Sequence, residues 1–408
     1  MASRALVIQL ARLGDIVQSA PAILALKAQD RDRLVDVLCP APLATLAACL
    51  PGVSTVVPWD GMRWRALARR SSLDEAEATF RELVPELYQT VFNLNNHPLA
   101  IYAAHLLGTR VVGPGEAGPL SETLLPWAAY LRQVAQEPGA NRVHLADAWC
   151  GFCGVKPTGL APRLEAFPVE LDSDLRRFTQ SDRLRIAVVV GAGDQTRVIP
   201  PSMWAQWITV LAKACTNWTV VLIGGAGEHE AALAIHEALS PLVGGQVWDA
   251  TGRTTLRQLA GLLACCQWVV GADTGPLHLG TAVGARAMGF YLGRARVHET
   301  GPYGIGHWVW QADPSGRFDL HSSKCEDDGF GEHMGWPMTT LGLRTSNLEG
   351  TWPVEESIEL LLTGSCSSVP EGWSLWQSHL DRWGVYYTVA GAAAEPDLSR
   401  EDVWRRLA

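Results

Sequence analysis

The stretch RALVIQLARLGDIVQSAPAILALKA, residues 4–28, decides the fold. Arg4 to Leu10 is a continuous apolar run of strand length, and from Ile16 to Ala28 apolar residues recur at helical spacing, so the segment reads strand, loop, helix. The unit then repeats. Leu34 to Cys39, Thr55 to Val57, Thr90 to Leu94 and Arg110 to Val112 are further strand candidates with helical segments between them, and this alternation predicts a parallel, doubly wound sheet. A polar stretch from Glu170 to Arg183 reads as a linker with a short helix. The strand pattern restarts at Arg185 to Val190 and continues through Thr219 to Ile223, Gln246 to Trp248, Trp268 to Gly271 and Ala287 to Leu292.

The expected class is therefore α/β, with two Rossmann-like doubly wound domains, residues 1–170 and 180–345, facing a central cleft. Beyond Gln311 the periodicity fails until a helix from Val354 to Leu362. Residues 346–408 read as a crossover helix and a Trp-rich tail. Its Trp373, Trp376, Trp383, Tyr386 and Tyr387 suggest an amphipathic element packed on the amino-terminal domain or against a partner.

Composition fits this reading and narrows the function. At 408 residues the chain is longer than one core usually serves, and 48% hydrophobic with 18% charged residues is a globular balance. A net charge of −9 gives no long-range attraction to nucleic acid. The apolar run Ala5 to Leu10 is broken at once by Arg12 and Asp15, so no leader is expected, and no window reaches the roughly 18 to 20 apolar residues of a membrane span. The expected location is the cytoplasm, with no transmembrane segment. Nine cysteines, among them Cys39, Cys215, Cys265 and Cys266 in apolar contexts, read as reduced core residues. Cys150 and Cys153 form a C-x-x-C that follows a helical stretch and has no second pair, so no metal is assigned.

Four β-α turns carry residues suited to chemistry. In the first, Gly14 and Asp15 stand where a strand ends and a helix begins; Asp15 there is a helix cap, a general base, or both. The run Gly191 to Arg197 lets backbone approach a phosphate while Thr196 and Arg197 offer a hydroxyl and a bidentate cation. The run Gly224 to Glu228 ends on a carboxylate placed for ribose hydroxyls. Asp273, Thr274, Gly275 and His278 lead a strand into a helix whose first amides suit an anion. Singly, each turn is common in parallel-sheet proteins, and His278 alone reads as a packed histidine. No G-x-G-x-x-G occurs among them.

Together these residues resemble the bacterial ADP-heptose heptosyltransferases, glycosyltransferases of family 9 with the GT-B fold. The resemblance rests on Leu13-Gly14-Asp15-Ile16-Val17 with Ala20-Pro21-Ala22 and Leu26-Lys27. It rests equally on Gly252, Thr254, Leu256, Leu259 and Ala260, on Asp273-Thr274-Gly275-Pro276 with His278-Leu279, and on Gly301-Pro302-Tyr303-Gly304. It spans about Arg4 to Gly306. It implies Asp15 as catalytic base, Asp273, Thr274, Gly275 and His278 on the donor's phosphates and sugar, Glu228 on the ribose and Thr254 against the adenine. Arg197-Val198-Ile199-Pro200 stands where the family usually shows Lys-Arg-Trp-Pro, and arginine is not geometrically equivalent to lysine at a phosphate.

The implied activity is inverting, metal-independent transfer of a heptose from an ADP-sugar to a surface saccharide such as lipopolysaccharide core. No cofactor is implied, and a lipid-linked acceptor would sit at the inner membrane surface. An inverting transfer needs a carboxylate opposite the leaving diphosphate and fixed positive potential beside it, and Asp15 and Arg197 are of the right kind. Acceptor candidates are Arg63, Arg65 and Arg69 with Arg70, which also fit a solvated helix face, and then Asn96 and His97 with Asn93 and Asn95. His321, Cys325, His333 and Cys366 are the remaining conceivable metal ligands. Another nucleotide sugar, a protein acceptor, a weakly catalytic binding subunit and a sugar-nucleotide epimerase are the rival readings.

Overall fold

Ala5 to Ile8 are all buried, which makes Arg4–Ile8 a central strand, β1, covered on both faces. The computed structural model describes residues 3–61, 78, 82, 84, 87–115, 118, 126–136, 141, 143–164, 171–292, 295–312, 352–390 and 398–407. β1 pairs in parallel with β2 (Leu34–Pro40) and β4 (Thr90–Asn93). These pair with β3 (Val53–Trp59) and β5 (Val111–Val112), giving the order β3-β2-β1-β4-β5. In the second sheet β6 (Leu184–Val189), β7 (Trp218–Ile223), β8 (Val247–Asp249), β9 (Trp268–Ala272), β10 (Arg286–Tyr291) and β11 (Trp308–Ala312) run parallel. An antiparallel hairpin, β12 (Trp373–Asp381) and β13 (Gly384–Val389), extends it to the order β13-β12-β11-β10-β9-β6-β7-β8.

The helices of the first half are α1 (Leu13–Gln18), α2 (Ala20–Gln29), α3 (Ala44–Ala47), α4 (Pro98–Leu107), α5 (Pro126–Gln136), α6 (Leu145–Phe152) and α7 (Ser173–Thr179). The second half has α8 (Pro201–Ala214), α9 (His229–Ala238), α10 (Pro241–Gly244), α11 (Leu256–Ala264), α12 (Gly275–Ala282), α13 (Val297–Thr300), α14 (Val354–Thr363) and α15 (Leu398–Leu407). Among the described residues no helix is long and apolar enough to cross a membrane. The architecture is mixed α/β with two doubly wound parallel sheets, as the alternation implies.

The strand orders locate the ligand crevices. In the first sheet the chain winds from β1 outward to β3, then returns to β4 on the other side of β1, so the switch point lies between β1 and β4. In the second sheet it lies between β6 and β9. Open α/β sheets bind ligands outside the carboxyl ends of the strands flanking such a point. Asp15 follows β1 and Asn96 follows β4, while Arg197 follows β6 and Asp273 follows β9.

Some details differ from the sequence reading. The helix expected over Ile16 to Ala28 is two helices broken at Ser19, because Pro21 lacks an N–H and its ring would meet a carbonyl of the preceding turn; Ser19 Oγ instead donates to Ile16 O. β11 was not anticipated from its short WVWQA run. The aromatic tail packs on the first half, with Val385 N donating to Asp147 Oδ2 at 2.9 Å and Lys156 over the Trp383 ring, but as a β-hairpin and a helix rather than as one short element. Trp373, Trp376, Tyr386 and Tyr387 form the hairpin that continues the second sheet, and α15 behind it buries Trp404 against Trp127 of α5, ring centroids 4.5 Å apart. α14 packs on α8, where Trp207 Nε1 donates to Ser357 Oγ at 2.9 Å. Arg63, Arg65, Arg69, Arg70, His321, Cys325 and His333 lie outside the described residues. Cys150 and Cys153 are buried free thiols, and burial pushes Cys39 up to about 12.

Candidate active site

The two switch points face each other through glycines. A Cβ on Gly14, in α1, would lie 3.0 Å from His278 Cδ2 and 3.6 Å from Gly275 Cα. One on Gly275, the first residue of α12, would lie 2.7 Å from Leu13 Cβ. The β1–α1 turn of the first sheet thus meets the β9–α12 turn of the second, with no room for a side chain at Gly275 and a tight fit at Gly14, and this close approach joins Asp15 to the Asp273 cluster.

Asp15 is half-buried at this junction. Arg12, not Asp15, stands at the N-cap of α1; Asp15 is the third residue of the helix, and its Oδ2 reaches back to accept the Arg12 amide at 3.1 Å. Burial raises its pKa above the ordinary range, opposed by that amide and by the nearby His278 and Arg12, and reinforced by Asp273. A carboxylate held there is a stronger base than one in water.

Opposite it, His278 is tied on both ring nitrogens. Gln18 Nε2 donates to Nδ1 at 2.9 Å, which leaves Nε2 protonated and donating to Asp273 Oδ1 at 3.2 Å. Gln18 also reaches Thr300 O at 3.4 Å, so one amide of α1 spans to two elements of the second half. Asp273 is buried, which pushes its carboxyl up. The His278 hydrogen bond and the charge of Arg197 oppose this, and the carboxyl is held below the usual range. Arg197 Nη1 donates to Asp273 O at 2.7 Å and stands 3.4 Å from Oδ2, leaving its other N–H groups for an anion. Thr300 Oγ1 lies 3.4 Å from the same Oδ2.

The first phosphate-type loop is shaped by Asp194, whose Oδ1 accepts from Thr196 N and Oγ1, each at 2.9 Å. Glu228 lies across both glycine loops: a Cβ on Gly191 would meet its Cγ at 2.2 Å, and one on Gly225 its Oε2 at 3.0 Å. The Gly252 turn, at φ +67°, packs on Ala226, and half-buried Thr254 stands two residues beyond it. At α12, Thr274 makes no side-chain cap, its hydroxyl going instead to Ala272 O at 3.2 Å.

Asp15, Arg197, Asp273, Gly275 and His278 are therefore brought together, with Thr196, Thr274, Glu228 and Thr254 on the bordering loops. On the first sheet Asn96 is exposed, and His97 caps α4 through Nδ1 while remaining half-buried. Asn93 and Asn95 are committed internally: Asn93 Nδ2 donates to Asn95 O and Pro114 O, and Asn95 bridges Gln9 Oε1 and the Leu10 amide. They fasten the ends of β1 and β4 rather than face a ligand. Sequence reasoning missed Gln18, although it is one helical turn from Asp15 and shares its face. It also missed Thr300 and Glu299, just before the Gly301-Pro302 pair. Glu299 is pushed up to about 7 by burial and by Asp273, against Arg296.

Residues 153–314 match the family model for glycosyltransferase family 9 (heptosyltransferase). Among solved structures the chain is similar to the ADP-heptose lipopolysaccharide heptosyltransferase II of E. coli. Identity is 21% and TM-score 0.56, covering 73% of this chain and 87% of that one. A family 9 glycosyl transferase from Veillonella parvula matches at 18% identity and TM-score 0.65, covering 89% and 98%. The E. coli heptosyltransferase WaaC with ADP matches at 18% and 0.57, covering 76% and 93%. At these identities the likeness shows the fold, GT-B. No curated protein matches in sequence. Residues 153–314 are a glycosyltransferase family 9 domain, carried in a chain of GT-B architecture.

Proposed function

We propose that this glycosyltransferase moves a heptose from an ADP-heptose donor to a saccharide of the bacterial surface, such as lipopolysaccharide core, by an inverting, metal-independent displacement. The observation that carries the reading is the meeting of the two switch points, which sets the Asp15 carboxylate of one sheet against the Arg197–Asp273–His278 cluster of the other. The E. coli enzymes solved as an ADP-heptose transferase and with ADP favour this donor.

In this reading the acceptor hydroxyl approaches from the side of the first sheet, near Asn96 and His97. Asp15 takes its proton as the oxygen attacks the anomeric carbon, and the bond to the diphosphate breaks on the opposite face. Negative charge then grows on the leaving ADP. Arg197, its Nη1 fixed by Asp273, offers its remaining N–H groups to that charge, and the amino end of α12 adds the favourable end of the helix dipole. Asp273 and His278 hold the sugar, Glu228 the ribose and Thr254 the adenine.

The test is turnover of ADP-heptose beside other nucleotide sugars, with and without EDTA. Preferential use of the ADP-sugar, unchanged in chelator, is expected. Preference for a uridine or guanosine sugar would overturn the donor assignment, and loss of turnover restored by magnesium or manganese would overturn the metal-free mechanism.

A further inference from the structure

The β12–β13 hairpin reaches the site through one short segment. Tyr387, buried on β13, donates its hydroxyl to Pro302 O at 2.6 Å, and its ring lies so close over Gly301 that a Cβ there would meet ring atoms at 2.4 Å. Trp376 of β12 stands edge-on to the His298 ring, centroids 4.8 Å apart. Ser378 ties down the other end of the segment, its Oγ accepting from His307 N at 2.8 Å and its carbonyl from Gly306 N at 3.0 Å. Between these anchors α13 ends on Thr300. Thr300 Oγ1 faces Asp273 Oδ2, and its carbonyl accepts from Tyr291 OH at 2.7 Å and from Gln18 across the cleft. From hairpin to Asp273 the path is Tyr387, Gly301–Pro302, Thr300, Asp273, and each step is a hydrogen bond, a backbone link or a van der Waals contact.

We infer that Tyr387 is a positioning residue for the donor site, holding Thr300 against Asp273 through the Gly301–Pro302 backbone. The inference rests on the donor reading above. Without the Tyr387–Pro302 bond the end of α13 gains freedom, and the donor must order it on binding. Ordering demanded equally by ground state and transition state raises KM and leaves kcat unchanged. Glycine at 301 lets the ring seat directly on the backbone, so the contact is fixed by shape as well as by hydrogen bond.

The experiment compares Tyr387→Phe with Tyr386→Phe in the full chain. Tyr386, the neighbouring hairpin position, stacks on His379 and lies under the Arg400 guanidinium, away from the Gly301 segment. Two readouts are taken: amide hydrogen exchange over residues 297–304, and KM and kcat for the ADP-sugar. For Tyr387→Phe we expect exchange in that peptide about fivefold to tenfold faster and donor KM raised by a similar factor, the size of one lost hydrogen bond, with kcat within about twofold. Tyr386→Phe should change neither. Unchanged exchange in Tyr387→Phe, or equal acceleration in both variants, overturns the inference. A wild-type chain that does not use an ADP-sugar counts against the donor reading instead, and the exchange comparison still decides the role of Tyr387.

Discussion

Gly275→Ala isolates the interdomain approach on which the site depends. Gly275 does not occupy the left-handed region, so φ alone does not exclude alanine, although it is the first residue of α12 and precedes Pro276, whose ring disfavours helical backbone at a residue carrying a Cβ. The new methyl would lie 2.7 Å from Leu13 Cβ and 2.8 Å from its Cγ and Cδ2, where unstrained carbons sit about 3.5 to 4.0 Å apart. Leu13 Cβ is fixed to its own backbone and no rotamer relieves the contact, so the β1–α1 and β9–α12 turns must separate by about 1 Å. Overpacking of this kind costs about 1 to 3 kcal/mol, so the melting temperature should fall by a few degrees.

Turnover should fall much further. Asp15 lies two residues beyond Leu13, and a 1 Å misplacement of reacting groups costs about 10²-fold. Gly280→Ala is the comparison: its Cβ would lie 2.5 Å from Val269 Cγ1, a clash of α12 with β9 inside the second sheet's own layer. It should lower the melting temperature at least as much while keeping turnover within about tenfold, since the two turns keep their spacing. The assay is melting temperature with kcat/KM for the ADP-sugar in both variants. A Gly275→Ala protein as active as wild type would refute the claim that the approach of the two turns assembles the site.

Arg197→Ala should lower kcat/KM for the donor by about 10² to 10³, or about 2.7 to 4 kcal/mol, the effect of removing one preorganised donor to developing charge; steady-state kinetics at unchanged far-UV dichroism would check it. Asp147, pushed up to about 7 by burial against hydrogen bonds from Tyr303 and Val385, keeps its proton in the folded state over a window where the unfolded chain has lost it. This group's contribution to stability therefore falls as pH rises from about 4 to 7, and Asp147→Asn removes that fall. Denaturant unfolding at pH 5 and 6.5 should show stability rising more steeply with pH in the variant, by up to about 1.4 kcal/mol per pH unit.

The parallel core was legible because β1, β6, β7 and β9 are short apolar runs followed at once by glycine-bearing turns, a local signal. The two facing turns of the candidate site were legible for the same reason, since Gly14–Asp15 and Asp273–Gly275 are contiguous. What joins them was not. Gln18 to His278, and Thr300 to Asp273, are pairings across the fold that no spacing announces. The hairpin did leave a trace: Trp373 and Leu375 on β12, and Val385 and Tyr387 on β13, alternate inward at period two. That signal is short and is diluted by polar Gln377, His379 and Asp381. Asn93 and Asn95 looked like ligand contacts because they end a strand at a switch point, yet both amides are spent on backbone and Gln9. Only the surroundings distinguish such a fastening from a binding group.

The central claim is that Asp15 is the base rather than only an acceptor for the Arg12 amide at the start of α1, and turnover of Asp15→Asn tests it most directly. Asparagine keeps a side-chain oxygen that can accept the Arg12 amide as Asp15 Oδ2 does, so the fold and ADP affinity should persist. The amide cannot take the acceptor proton, so kcat should fall by about 10² to 10⁴. An Asp15→Asn protein that folds, binds ADP and turns over at the wild-type rate would contradict the account.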